Sequence, residues 1–322
     1  MNCLITGGSG FIGKHLVDYI RTNKSYDKII IIDTVEPHYQ VTDVEFIKCD
    51  IRQQIDITLK EKIDVCFHLA AVAKEPGYEW EMYFEANYSG TRNVIAFCEK
   101  NGINNIVFTS TMMVFRAGEV RNNESSLTAP DTGYGISKIL AEAALKEWAA
   151  AGNNRRLRIV RPGVVFGKGE NGNYTRLYKA LKKNMFFYTG KKTTIKGSIY
   201  VKDLVRFICF LADDLHNNVV YHMVYPYQLT IDEICRTICS VFGWKRIIPT
   251  VPYKMALMMS YPFEMLSLLG FKTNIHHRRI QKLYFSTDIS ADLAQSVGFE
   301  LKYTLDEALK DWANDCLPGD IS

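Results

Sequence analysis

Short apolar runs alternate with longer amphipathic stretches through the first half of the chain. Residues 2–6, 28–33, 44–49, 65–69, 105–110 and 158–162 are rich in Ile, Val, Phe and Leu and have the length of strands. Between them, residues 11–22, 80–100 and 135–151 place apolar side chains at helical spacing. The runs are apolar nearly throughout, which suits strands buried on both faces, so the pattern predicts a parallel sheet covered by helices. Beyond residue 167 the pattern loosens, and stretches containing Gly, Asn and Lys separate shorter apolar runs. The expected architecture is a doubly wound α/β domain over residues 1–167, with later segments returning to it. A smaller, mixed lobe is expected over most of residues 168–322.

The first apolar run leads straight into Gly7-Gly8-Ser9-Gly10-Phe11-Ile12-Gly13. In a strand–turn–helix context this is the Rossmann dinucleotide loop. Gly7 allows the tight turn, Gly10 the approach of a diphosphate and Gly13 the packing of helix on strand, while the helix start offers N–H groups to the phosphates. The second run ends at Asp33, whose carboxylate can accept both ribose hydroxyls and would repel a 2′-phosphate. NAD is therefore expected in preference to NADP. Asp50 and Ile51, after the third run, could hold the edge and face of the adenine.

Tyr134 and Lys138 are four apart on a predicted helix and share a face. A phenol near pKa 10 is a poor base at neutral pH, and a nearby ammonium would favour the phenolate. Thr111, upstream at a strand end, could hydrogen-bond the same substrate oxygen. His68, at the end of the fourth run, reads as a packing residue rather than an acid or base.

Composition narrows the field. A formal charge of +4 over 322 residues gives no basis for a nucleic-acid partner, which needs a concentrated basic stripe. Eight scattered cysteines do not form a disulfide framework, and Cys235 and Cys239 read as core. His276 and His277 lie in a basic run without partners at ligand spacing, so no metal is expected. A strand starting at Asn2 leaves no room for a signal peptide, and no integral membrane segment is expected, which points to the cytoplasm. The most apolar stretch, residues 251–269, is interrupted by Lys254, Pro262 and Glu264. It reads as a helix of the substrate lobe, with a position along a membrane surface as the lesser alternative.

Taken in order, the motifs resemble the extended short-chain dehydrogenase/reductase superfamily, in its NAD-dependent nucleotide-sugar epimerase/dehydratase branch. GGSGFIG (residues 7–13), HLAA (68–71), NYSGT (87–91), TSTMMVF (109–115), YGISK (134–138) and RPGVVFG (161–167) all match. The resemblance implies cofactor contacts from Gly7, Gly10, Phe11, Ile12, Gly13, Asp33, Asp50, Ile51, Leu69, Ala70, Ala71, Asn87, Lys138 and Pro162. It implies catalysis by Tyr134, Lys138 and Thr111. It also implies substrate contacts from Thr111, Lys196 (before the Tyr-x-x-Asp-Leu segment at 200–204) and Arg278, with Asn173 and Arg176 as further candidates for the nucleotide part. A homodimer is expected through the helices at 80–100 and 135–151.

Thr111 stands where many members of the family have serine, and the sequence departs from the family in two further places. Val114-Phe115-Arg116 replaces the usual Val-Tyr-Gly, and Met112-Met113 stands where dehydratases carry an acid pair. The last departure argues against dehydration. Expectation therefore falls on 4-epimerisation of a UDP-hexose or UDP-N-acetylhexosamine through a transient 4-keto sugar. A 4-ketosugar reductase or dehydrogenase is the alternative, or an enzyme of 3β-hydroxysteroid type, since Met112, Met113 and Phe115 would line an apolar pocket. A non-catalytic NAD-binding regulator is disfavoured because Tyr134 and Lys138 are both present.

Overall fold

A computed structural model describes residues 1–23, 26–37, 44–213, 219–268 and 277–316, apart from the side chains of 263–268 and of Arg278. The first half runs β1 (Asn2–Thr6), α1 (Phe11–Asn23), β2 (Lys28–Asp33), β3 (Val44–Lys48), β4 (Val65–His68), α2 (Trp80–Tyr83), α3 (Gly90–Lys100), β5 (Asn105–Thr109), α4 (Gly133–Ala150) and β6 (Arg156–Pro162). A π-helical turn, Phe84–Ser89, joins α2 to α3, and a 3₁₀ turn, Met112–Val114, follows β5. The expected single helix over 80–100 is continuous and carries this π turn at its centre. Such bulges cluster at functional sites, and this one carries Asn87.

The second half adds β7 (Val164–Phe166), α5 (Asn173–Lys182), β8 (Tyr188–Thr189), β9 (Ser198–Tyr200), α6 (Val201–Asp213) and β10 (Val219–Met223). It continues with α7 (Ile231–Val241), β11 (Thr250–Val251), α8 (Tyr253–Leu268), α9 (His277–Tyr284), α10 (Asp292–Ser296) and α11 (Leu305–Asn314). Seven parallel strands form one sheet in the order β10-β6-β5-β4-β1-β2-β3. β10 therefore returns to the first domain and pairs with β6 from Val219↔Arg158 to Met223↔Pro162.

The strands alternate between two apolar layers. Ile5, Ile31, Phe67 and Val107 pack with Leu16 of α1 and Leu204, Phe207 and Leu211 of α6. Leu4, Ile30, Cys66 and Phe108 pack with Val94 of α3 and Leu145 of α4. Full burial of each such side chain contributes about 1.5–3 kcal/mol, which is why the strands read as unbroken apolar runs. One buried exception is Arg158 in β6. Its guanidinium donates to the Leu211 and Ala212 carbonyls at 2.7 and 3.0 Å and to Asn105 Oδ1 at 2.6 Å, so it caps the C-terminus of α6.

The smaller lobe is built on β7–β9 and β8–β11, two short parallel pairs, with α5 and α7–α9 around them. Asp203, from the Tyr-x-x-Asp-Leu segment, is fully buried and accepts the Lys302 and Tyr303 N–H groups at 2.9 and 3.1 Å. It pins the chain entering α11 to α6. Among the described residues no helix is long and apolar enough to cross a membrane.

Candidate active site

The strand order reverses between β1 and β4, which lie side by side, and the crevice beyond their C-terminal ends is where such sheets bind ligands. The glycine loop opens there. Gly7 has φ of +75°, and a Cβ on it would meet the Ala70 backbone at 2.6 Å. A Cβ on Gly13 would lie 2.3 Å from the Gly7 carbonyl, so α1 can close on the loop only with glycine there. At Gly10 only that same carbonyl lies near, at 3.2 Å, which leaves its other side open for a phosphate. Phe11 and Ile12 begin α1, and Phe11 packs edge-on against His15.

The Ser9 hydroxyl is out of water and, among the described residues, has no hydrogen-bond partner, as a donor suited to a phosphate oxygen would be. Asp33 Oδ2 accepts the Ser9 N–H at 3.0 Å and Oδ1 the Val35 N–H at 3.2 Å, which fixes the carboxylate at the end of β2 beside the loop. An open glycine turn, an orphaned hydroxyl and a fixed carboxylate fit the diphosphate and ribose of NAD. At the adenine end, Asp50 is clamped by Arg52 at 2.6–3.0 Å, which holds its carboxyl below the usual range. Ile51 is buried, and a Cβ on Gly90 would strike its side chain at 2.8 Å.

A chain of hydrogen bonds sets the floor of the crevice. The Ala70 N–H reaches Thr6 Oγ1 at 3.4 Å, Thr6 Oγ1 and His68 Nδ1 lie 2.7 Å apart, and His68 Nε2 and Thr91 Oγ1 lie 2.9 Å apart. Thr91 spends its proton on the Asn87 carbonyl, so His68 must carry its proton on Nε2 and accept at Nδ1. Burial drives the imidazole pKa down to about 3, and His68 stays neutral. It is a structural link between β1, β4 and the π turn. Leu69 and Ala70 leave β4 tied to Thr6, and Ala71 follows, exposed. Asn87 receives the Val72 N–H at 2.8 Å and donates to Ser137 Oγ at 2.9 Å, while Ser137 donates to the Tyr134 carbonyl. Asn87 thereby ties the cofactor-side loop to the helix of Tyr134. Pro162 closes β6 opposite Met223.

Tyr134 and Lys138 occupy the first turns of α4, which Thr132 caps by accepting the Gly135 N–H. Both side chains are buried. Burial raises the Tyr134 pKa to about 12, and a hydrogen bond from the Thr111 side chain opposes the rise. Burial lowers the Lys138 pKa to about 7, opposed by the charge of Glu142, and its Nζ sits 4.0 Å above the Phe108 ring. Burial thus disfavours the charged form of both groups, phenolate and ammonium alike. Thr111 is buried at the start of the 3₁₀ turn, where its oxygen accepts the Met113 N–H at 3.1 Å.

The same stripe of α4 continues to Glu142, which sequence reasoning missed. Glu142 is fully buried, takes two bonds from Arg161 at 2.9 and 2.6 Å and one from Ser110 at 2.6 Å. Its spacing from Tyr134 and Lys138, eight and four residues, was the available signal. Phe115, expected in the pocket, is instead buried between Arg161 and His222, with 5.4 Å to each.

In the smaller lobe, Asn173 and Arg176 bond each other at 2.9 Å on the first turn of α5. Burial, and then the charge of Arg279 from α9, depress the Arg176 pKa. Two guanidiniums that repel one another suit an anion with several oxygens. Arg279 was not anticipated; the side chain of Arg278, which was, lies outside the described residues, as does His276. Lys196 donates to the carbonyls of Lys282 and Phe285 at 2.5 and 2.6 Å, so it clamps the end of α9 with two of its three protons. Burial pushes its pKa down to about 7.

The sequence profile described as the NAD dependent epimerase/dehydratase family matches residues 3–224. An N-acetyl-alpha-D-glucosaminyl-diphospho-ditrans,octacis-undecaprenol 4-epimerase from Escherichia coli O157:H7 is 31% identical over 315 residues, spanning 96% of this chain and 93% of the relative. Two solved structures share the fold. UDP-glucose 4-epimerase from Thermotoga maritima with UDP-glucose superposes with a TM-score of 0.75 at 21% identity, over 98% of each chain. UDP-glucuronic acid 4-epimerase from Bacillus cereus, in complex with UDP-glucuronic acid and NAD, gives 0.74 at 20% identity, again over 98% of each.

Proposed function

Because the chain belongs to the NAD-dependent epimerase/dehydratase family, we propose that it is a 4-epimerase of a diphosphate-linked hexose, foremost an N-acetylhexosamine. The observation that carries this reading is the buried Tyr134–Thr111 hydroxyl pair, with Lys138 one helical turn on, at the crevice bordered by the glycine loop.

Bound NAD supplies a cationic ring beside the phenol and an acceptor that takes the C4 hydrogen and gives it back. The protein's own groups handle the proton. As the phenolate, which the cationic ring would favour, Tyr134 would accept it from the C4 hydroxyl, and Thr111 would hold that oxygen in line. Lys138, whose neutral amine form burial favours, would take up the proton the phenol gives up and so balance the charge on the phenolate. For the product, Tyr134 would return the proton to the C4 oxygen of a 4-keto sugar that has presented its other face. Epimerisation asks the binding site to release the sugar ring and hold its carrier, a task for Arg176, Arg279 and Asn173 on the diphosphate.

A nucleotide is the first reading of the carrier. A polyprenol is the second, favoured by the name of the relative that matches along nearly the whole chain. Incubation with UDP-N-acetylglucosamine and with polyprenyl diphosphate N-acetylglucosamine, followed by chromatography of the released sugars, tests both. Appearance of the galacto epimer from either supports the proposal; its absence from both, in protein holding NAD, overturns it. A 4-ketosugar reductase would instead consume added reduced cofactor in proportion to product. The reading also keeps a cytoplasmic location, which eight free cysteines support, and a homodimer through the outer faces of α3 and α4, testable by light scattering.

A further inference from the structure

The outer face of α8 is the wrong way round for a helix facing water. Ala256 and Ser260 are buried toward the lobe, whereas Met255, Met258, Met259 and Tyr261 are each more than half exposed and Pro262 is exposed with them. At 100° per residue, Met255, Met258, Met259 and Pro262 fall within about one quarter of the helix circumference, bordered along one edge by Lys254 and Tyr261. Methionine packs against irregular partners, and a contiguous exposed patch of it marks a surface that meets something apolar.

The surroundings say what that is. β11, which leads into α8, pairs with β8, and Arg246 donates to the Lys182 carbonyl at 3.0 Å, so the segments around them lie edge to edge. Met185 and Ile247, in the stretches that lead into β8 and β11, are 72% and 93% exposed. Residues 171–202 and 234–263, which supply these segments, hold twelve of the chain's 39 Lys and Arg and none of its 35 Asp and Glu. Lys191, Lys202 and Arg236 meet carboxylates from elsewhere, and Lys196 is used internally. Lys183, Lys245, Arg246 and Lys254 are exposed around the apolar residues. The rest of the chain is acidic on balance, so the positive charge is local.

We propose that the α8 face, together with the Met185–Ile247 corner, docks on an anionic phospholipid bilayer, with the methionines in the headgroup–acyl boundary and the lysines on the lipid phosphates. Exposed apolar side chains ringed by lysine and arginine are the composition of an interfacial surface. The face belongs to the smaller lobe itself: Tyr253 of α8 stacks on Tyr284 of α9 at 4.1 Å, and Lys282 of α9 donates to the Glu75 carbonyl at 2.9 Å. A docked protein would thus hold its cleft near the membrane surface. The inference does not depend on the reaction proposed above.

Sedimentation of the full chain with vesicles of phosphatidylcholine alone, and of phosphatidylcholine with phosphatidylglycerol, is the test, run without substrate. Binding is expected to the mixed vesicles only and to weaken with salt. Met255→Ser/Met258→Ser/Met259→Ser, on the outer face, should keep the far-UV spectrum and NAD binding and lose vesicle affinity about tenfold or more. Lys183→Glu/Lys245→Glu/Lys254→Glu should lose at least as much, since each cation near an anionic surface is worth about a further fivefold. The inference is overturned if the chain stays in the supernatant with mixed vesicles or if the folded serine variant binds like the parent. It is equally overturned if that variant changes the oligomeric state in light scattering while vesicle binding persists, which would make the face a contact between copies.

Discussion

Lys138→Met isolates the cost of burying the amine next to Tyr134. In the folded protein the Lys138 pKa lies near 7, against an ordinary 10.5. Between those values the unfolded chain carries the proton and the folded chain does not. Unfolding therefore takes up a proton, and stability must rise with pH across that window. The slope from this one group approaches 1.4 kcal/mol per pH unit, with an upper limit of roughly 5 kcal/mol over the window. Below about pH 7 both states are protonated and the burial penalty is present in full; toward pH 10.5 it is relieved. Methionine fills similar space without the charge. Nucleotide-free Lys138→Met should therefore be more stable than the parent at pH 6, with the difference shrinking steadily toward pH 10. Urea unfolding of both proteins at several pH values measures it, and the other titrating groups cancel in the difference. Parallel profiles between pH 7 and 10 would refute the reasoning.

Glu142→Gln breaks the buried pair with Arg161 and strands a guanidinium, so it should cost about 3–5 kcal/mol of stability, read as a lowered urea midpoint. Gly13→Ala forces a Cβ into the Gly7 carbonyl and should abolish NAD binding in any protein that still folds, measured by calorimetry. Asp33→Asn removes the charge that would repel a 2′-phosphate and should narrow the preference for NAD over NADP, with the two dissociation constants as the readout.

The sheet was legible because its strands are buried on both faces, which writes them as continuous apolar runs. The glycine loop was legible because steric demand at Gly7 and Gly13 admits no other residue. β10 and the Glu142–Arg161 pair were not. β10 is five residues at the sheet edge, and its place depends on a long return of the chain rather than on its own pattern. Nothing in the local pattern couples a glutamate on a helix to an arginine beside a proline; only the packing of α4 on β6 makes them a buried pair. Lys196 shows the converse. Its sequence position suggested a phosphate contact, but local geometry gives its ammonium to the end of α9. The positive charge that the structure does gather in the smaller lobe, Arg176 beside Arg279, comes from two elements distant in sequence.

The central claim is that one phenol withdraws and returns a proton at C4 while the C4 hydrogen never leaves the protein. Sugar deuterated at C4, on its diphosphate carrier, should be converted to the 4-epimer with the deuterium retained and no accumulation of reduced cofactor. Tyr134→Phe should slow that conversion by about 10²–10⁴-fold while binding NAD as before. Product that has lost its deuterium to solvent, or a phenylalanine variant that turns over like the parent, would contradict the account.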